Sequence, residues 1–293
     1  MIKMSIGAAF SETFAFLKAN WTKMLMWMGG TIVVLGILGY LMLGSTFAAM
    51  AMATTTNDPS VMLGAFSRIF LFAILAAVIL YAVGMLIWRG GLHPDEAPNF
   101  GWAFQAGPAF ALGMFVVMAI AYIVMMIISF VLMLIFGAVL GGAGAFSPGA
   151  FQSGALSGGA MAVAFVYYVA VLVFFLWLQG RLSVAGPVMA QKLTRNPVTG
   201  ITESWKLTGA SQWAIVGFYI LFTILMVVYA FIAGLIFGGI TGALAGGSAA
   251  GAMVAMIVLG LIVYLPILML SLSMPVGIYR AISSGTTSGE VFA

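Results

Sequence analysis

The stretch AFALGMFVVMAIAYIVMMIISFVLMLIFGAVL, residues 109–140, carries no charged side chain. Crossing the ~30 Å hydrocarbon core of a bilayer takes about 20 apolar residues in a helix. In that medium a backbone must satisfy its own hydrogen bonds, which leaves helices and closed barrels. Barrel strands alternate apolar and polar residues over about ten positions. This stretch is apolar throughout, so it reads as a membrane-spanning helix. The whole chain of 293 residues supports that setting, being 64% hydrophobic and only 5% charged, with a mean hydropathy of +1.23. Soluble domains carry about 25% charged residues, so a soluble globular surface is excluded, and most cytosolic enzyme and nucleic-acid readings with it.

The gaps between charges count the spans. Residues 24–57 leave room for one, and 69–88 supply 20 uncharged positions for a second. Residues 97–180 form a run of 84, divided by the loop-like segment GGAGAFSPGAFQSGALSGG at 141–159. Residues 207–279 form a run of 73, divided by TGALAGGSAA at 241–250. The expected fold is an all-α integral membrane protein with six transmembrane helices, arranged as three helical hairpins in a single polytopic domain over 1–293. Lys3, Glu12, Lys18 and Lys23 precede the first apolar run, so the first span is expected to insert as an uncleaved anchor.

Net charge is +4, from 10 basic and 6 acidic residues. Six spans put both termini on one side, where Lys3, Lys18, Lys23, Arg89, Arg181, Lys192, Arg195, Lys206 and Arg280 also fall. Only Arg68 belongs to the other side. Positive charge marks the cytoplasmic face, so the expected location is a bacterial inner membrane with N and C termini cytoplasmic. The expected partner is the lipid bilayer itself, with anionic phospholipid against this basic face.

The three outer loops recur at intervals of about a third of the chain, which suggests repeat units 1–95, 96–195 and 196–293. Each unit is expected to open with a short amphipathic helix at the interface (about 5–20, 99–106 and 197–208), followed by a hairpin. In the first, Ile6, Phe10, Phe14, Leu17 and Trp21 share a face. Asn99 and Asn196-Pro197 are helix starts, Pro108 suits the first turn of span three, and Gly209 is a stop before a Ser211 cap. The segment Phe10-Ser11-Glu12-Thr13-Phe14 reads like Ile201-Thr202-Glu203-Ser204-Trp205, and Trp88-Arg89 like Tyr279-Arg280.

Arg181-Leu-Ser-Val-Ala-Gly-Pro187, then Ser204-Trp205-Lys206-Leu207-Thr208, resembles the membrane domain of some bacterial glycerophosphodiester phosphodiesterases and related uncharacterised six-helix inner-membrane proteins. The likeness is sharpest over about 181–213 and architectural elsewhere. It centres on a Ser-Trp-x-Leu-Thr element before the fifth span; here Gly209 follows it, where that family often has a basic residue. The hydrolase of such enzymes is a separate soluble barrel with no counterpart here, so the resemblance implies a membrane scaffold.

Residues that carry chemistry are scarce. There are no cysteines and a single His, in His93-Pro94-Asp95-Glu96; one His beside two carboxylates reads as a solvated loop. No catalytic, cofactor-binding or metal residues are assigned, and no cofactor is expected. Pro266 and Pro275 in span six each remove a backbone donor and tend to kink a helix. Such a helix either lines a solute pathway or packs with its serines satisfying the backbone. Gly234, Gly238 and Gly242 lie at every fourth position in span five, a flat stripe for another span or a second copy. Arg181 should sit at the inner boundary and meet either lipid phosphate or Glu203.

The function these features support is a non-catalytic scaffold or accessory protein that interacts with lipids or other membrane proteins, without nucleic acid. The alternative is a permease or lipid translocator built on the sixth span. The charge asymmetry predicts that a reporter fused after Ala293 is active only when it requires the cytoplasm; activity confined to the periplasm contradicts the orientation.

Overall fold

The computed structural model describes residues 4–56, 59–140, 158–244 and 264–283. Among these residues there is no strand. The helices are α1 (Ile6–Thr56), α2 (Pro59–Leu92), α3 (Phe100–Leu140), α4 (Gly158–Leu182), α5 (Ala185–Lys192), α6 (Pro197–Thr208) and α7 (Gln212–Leu244), then α8 (Tyr264–Ser283). Among the described residues, six helical segments are long and apolar enough to cross a bilayer, so the chain is a multi-pass membrane protein.

The interfacial helices differ from expectation in two of three places. Residues 6–20 are the opening turns of α1, a continuous helix of 51 residues, or about 77 Å at ~1.5 Å per residue. No Gly or Pro falls between Ala8 and Met28 to break it. Residues 100–106 likewise begin α3, which runs on through Pro108 rather than starting at it. Asn99 does cap α3, its Oδ1 accepting from the Trp102 amide at 2.9 Å. Only the third interfacial helix is separate. In α6, Asn196 accepts from the Val198 amide and Pro197 occupies the first turn. A short 3-10 turn, Gly209–Ser211, divides α6 from α7. Ser211 does not cap α7; its hydroxyl accepts from the Met4 amide at 2.9 Å. Helix also extends into the expected first loop, leaving only residues 57–58 between α1 and α2, and into the third as far as Leu244. Most of the second loop lies outside the described residues.

The core lies at the end where Lys23, Arg89, Lys192 and Arg280 gather. One apolar cluster joins Phe16, Met24 and Met28 of α1 to Met85 and Trp88 of α2, Trp102 and Phe110 of α3, Met189 of α5 and Val276 of α8. A second joins Met4 to Val184 and Val188, Phe218 and Phe222 of α7, and Met274 and Ile278 of α8. The eight-residue helix α5 stands between them and buries Ala185 through Ala190. It contributes to both clusters and packs on α2 and α6.

Two close approaches lock this end. At Gly277 a Cβ would collide with Thr13, whose Cα stands 2.7 Å away, so only glycine lets α8 meet α1 there. At Gly186 a Cβ would run into the Trp88 indole. That ring cannot yield easily, being 6% exposed, edge-on to Phe110 and tied by its N–H to Leu272 O at 2.8 Å. Overpacking a fixed core costs about 1–3 kcal/mol. Gly186→Ala should therefore lower the melting temperature of the detergent-solubilised protein. Gly234→Ala, where an added Cβ meets nothing within 4 Å, should leave it unchanged or slightly raised. Equal effects of the two substitutions would contradict the central position given to α5.

Candidate functional site

The site grows from the ends of α4 and α5. A helix leaves its last four carbonyls without partners; in α5 these belong to Met189 and Ala190, which are buried, and to Gln191 and Lys192, which are exposed. Met189 O is satisfied locally by the amide of Leu193, which takes a left-handed conformation at φ 51°, and by the Thr194 amide at 3.2 Å. Arg89, from the last turn of α2, serves the next two. Its Nη1 donates to Ala190 O at 2.8 Å and Gln191 O at 2.9 Å, while Nε and Nη2 bind the Glu96 carboxylate. A cation at a helix C-terminus also complements the dipole. His93 completes the group, its Nε2 lying 3.1 Å from Gln191 Oε1 and Nδ1 3.5 Å from Glu96. His93 and Glu96 thus brace α5. Among the described residues no group of His, Cys, Asp and Glu could hold a metal ion.

Arg181 closes α4 in a different way. Its carbonyl accepts from Ser204 Oγ at 2.7 Å. Thr208 Oγ1 divides its hydrogen between Ser204 O at 2.7 Å and the same Arg181 carbonyl at 3.3 Å. Spacing of i, i+4 puts Ser204 and Thr208 on one face of α6, and both are fully buried. The guanidinium lies over the Trp205 indole, 4.4 Å from the ring centroid. Ser204, Trp205 and Thr208 therefore act as one device: two hydroxyls take the main chain of Arg181 and the indole takes its side chain. Gly209 fits the same geometry, since a Cβ there would stand 3.1 Å from Arg181 Nη1. A side chain at 209 would crowd the cation.

The expected meeting of Arg181 with Glu203 does not form. Glu203 projects from α6 about 100° around from Ser204, toward α5, and pairs with Lys192 at 2.6 Å. Nor does Arg181 turn outward, being 8% exposed. Leu207 packs at the edge of the α7–α8 cluster. Gly234 is exposed with open space where a side chain would project; the surroundings of Gly238 and Gly242 lie outside the described residues. Pro266 is exposed near the start of α8. Pro275 lines a cleft of about 520 Å³ with Tyr219, Thr223, Ser271 and Met274. The α8 serines bond back within their helix, Ser271 to Ile267 O and Ser273 to Met269 O, each at 2.8 Å.

Arg89 was legible only as an interfacial stop. The signal for α5 was present: apolar residues continue from Leu182 to Ala190, past the basic boundary. Such a run beyond a full-length span is the mark of a re-entering or buried helix. The arrangement as a whole can bind and orient; it places cations and hydroxyls on main-chain carbonyls at the basic end. Comparison of the chain with protein families, curated proteins and solved structures finds no match.

Proposed function

We propose that this chain is a non-catalytic scaffold or accessory protein of a bacterial inner membrane, with its basic end and both termini in the cytoplasm. Its spans hold lipid or other membrane proteins along their sides. One observation carries the reading: among the described residues the packed core gathers at the basic end. Beyond it the far halves of the helices bury only Leu43, Ala65, Ala121, Ala233 and Met269 among described hydrophobic side chains. Along α3, Tyr122, Ile123, Val124, Met126, Ile127, Ile128, Phe130 and Val131 are all exposed. Their apolar surface has to be covered, by lipid or by partner helices, for the protein to exist in a membrane. Threefold descent from one hairpin unit, with units near 1–95, 96–195 and 196–293, is part of the proposal. The likeness of Thr13-Phe14 and Ser204-Trp205 supports it, because both polar members are buried while both aromatic ones stay exposed.

A permease is the second reading, favoured by α8. Two clefts flank this helix, one of about 520 Å³ against α4 and α7 and one of about 380 Å³ against α1 and α2. Ser271 lines both.

Photo-crosslinking separates the two. With benzoylphenylalanine at Ile127 or Phe231, the scaffold reading predicts adducts to lipid or to a second polypeptide, a second copy of this chain included. Adducts confined to other spans of the same chain would show that the far halves close into a bundle. Together with solute flux in proteoliposomes that Ser271→Leu abolishes, that result would establish the permease instead.

A further inference from the structure

Among the described residues, Nε and Nη1 of Arg181 are the only buried side-chain polar atoms without a hydrogen-bond partner. A guanidinium stays charged at any physiological pH, and burying a charge without an acceptor is costly. Three other cations of this end have partners. Arg89 binds Glu96 and two carbonyls, Arg280 donates to Gly91 O at 2.8 Å, and Lys192 holds Glu203. The one carboxylate on α6 is thus already engaged.

We propose that Arg181 anchors a phosphate-binding site for the phosphodiester of a phospholipid headgroup, in the corner between α4 and α6. The proposal rests on the lipid-binding side of the scaffold reading and names its ligand. The Trp205 indole occupies one face of the guanidinium; the N–H donors point from its edges, where Nε and Nη1 are buried without a partner. Nε and Nη1 lie on different edges, each beside Nη2, and a pair of phosphate oxygens fits either edge. Gly209 keeps competing side-chain atoms away from Nη1. Trp205 is 38% exposed and forms the outer wall, so an oxyanion arriving from the headgroup region reaches the cation by turning the indole aside. Trp177, edge-on to Trp205 at 5.5 Å, together with exposed Trp213 and Lys206, gives the corner the aromatic and cationic character of a membrane interface.

The test uses the full chain in mild detergent, with phosphatidylglycerol, diacylglycerol as the phosphate-free lipid, and inorganic phosphate as probes. Native mass spectrometry should show phosphatidylglycerol retained by the wild type and held about tenfold more weakly by Arg181→Lys, which keeps the charge and loses the fork. The wild type gives a reading that needs no variant: phosphatidylglycerol should raise the melting temperature and diacylglycerol should not. Persistence of the lipid adduct in excess inorganic phosphate assigns the site to the lipid. Displacement of the adduct assigns it to a free phosphate compound and overturns the lipid source. Equal retention by wild type and Arg181→Lys, or equal stabilisation by the two lipids, overturns the site altogether. Failure here with crosslinks from Ile127 to lipid intact removes the Arg181 site alone. Arg181-dependent binding with crosslinks confined to the chain removes the scaffold reading alone.

Discussion

Arg89 reaching the last carbonyls of α5 is the interaction on which the rest of the structure depends. An eight-residue helix is too short to be stable by itself, and its final carbonyls would be costly to bury bare. Hydrogen bonds to a charged donor contribute about 1.5–3 kcal/mol each, and Arg89 makes them to two carbonyls while Glu96 balances its charge. With its end satisfied, α5 can occupy the centre of the basic end and fill space that two apolar clusters share. Trp88, one residue before Arg89, lies against Gly186 and ties α2 to α8. The residue pair thus fixes both ends of α5: the indole at its first turn, the guanidinium at its last.

Much of this was readable from the sequence, and the failures have physical causes. Uncharged runs gave six spans because charge is expensive in hydrocarbon, a constraint that acts on each residue separately. Asn99 and Asn196-Pro197 were readable as helix starts because caps are local. The continuous α1 was missed because amphipathicity shows which face is apolar and not whether a helix stops; stopping needs a breaker, and Ala8–Met28 has none. Glu203 stands beside lipid phosphate as a candidate for Arg181 only through proximity along the chain. Its partner Lys192 comes from α5, a helix whose insertion is a tertiary event. The buried state of Arg181 follows from the same insertion, since α5 brings α6 back against the end of α4.

The distribution of packing bears on function. A protein that held a solute within its spans would be expected to bury side chains along their length. Here the large buried side chains collect near the basic end, while residues such as Tyr40, Phe115, Met126 and Phe231 stand exposed. In the proposed scaffold the basic end supplies rigidity, and the exposed flanks supply surface for lipid and partner helices. The two clefts beside α8 remain the part of the structure a transport reading would use.

Helix α5 is the centre of the packed end. Hydrogen exchange, followed by mass spectrometry in lipid nanodiscs, measures this directly, because protection reports local opening. The wild type should show slow exchange over Val188–Lys192, and Arg89→Met should lose that protection while the middle of α3 keeps its own. Rapid exchange of these amides in the wild type, or protection untouched by Arg89→Met, would contradict it.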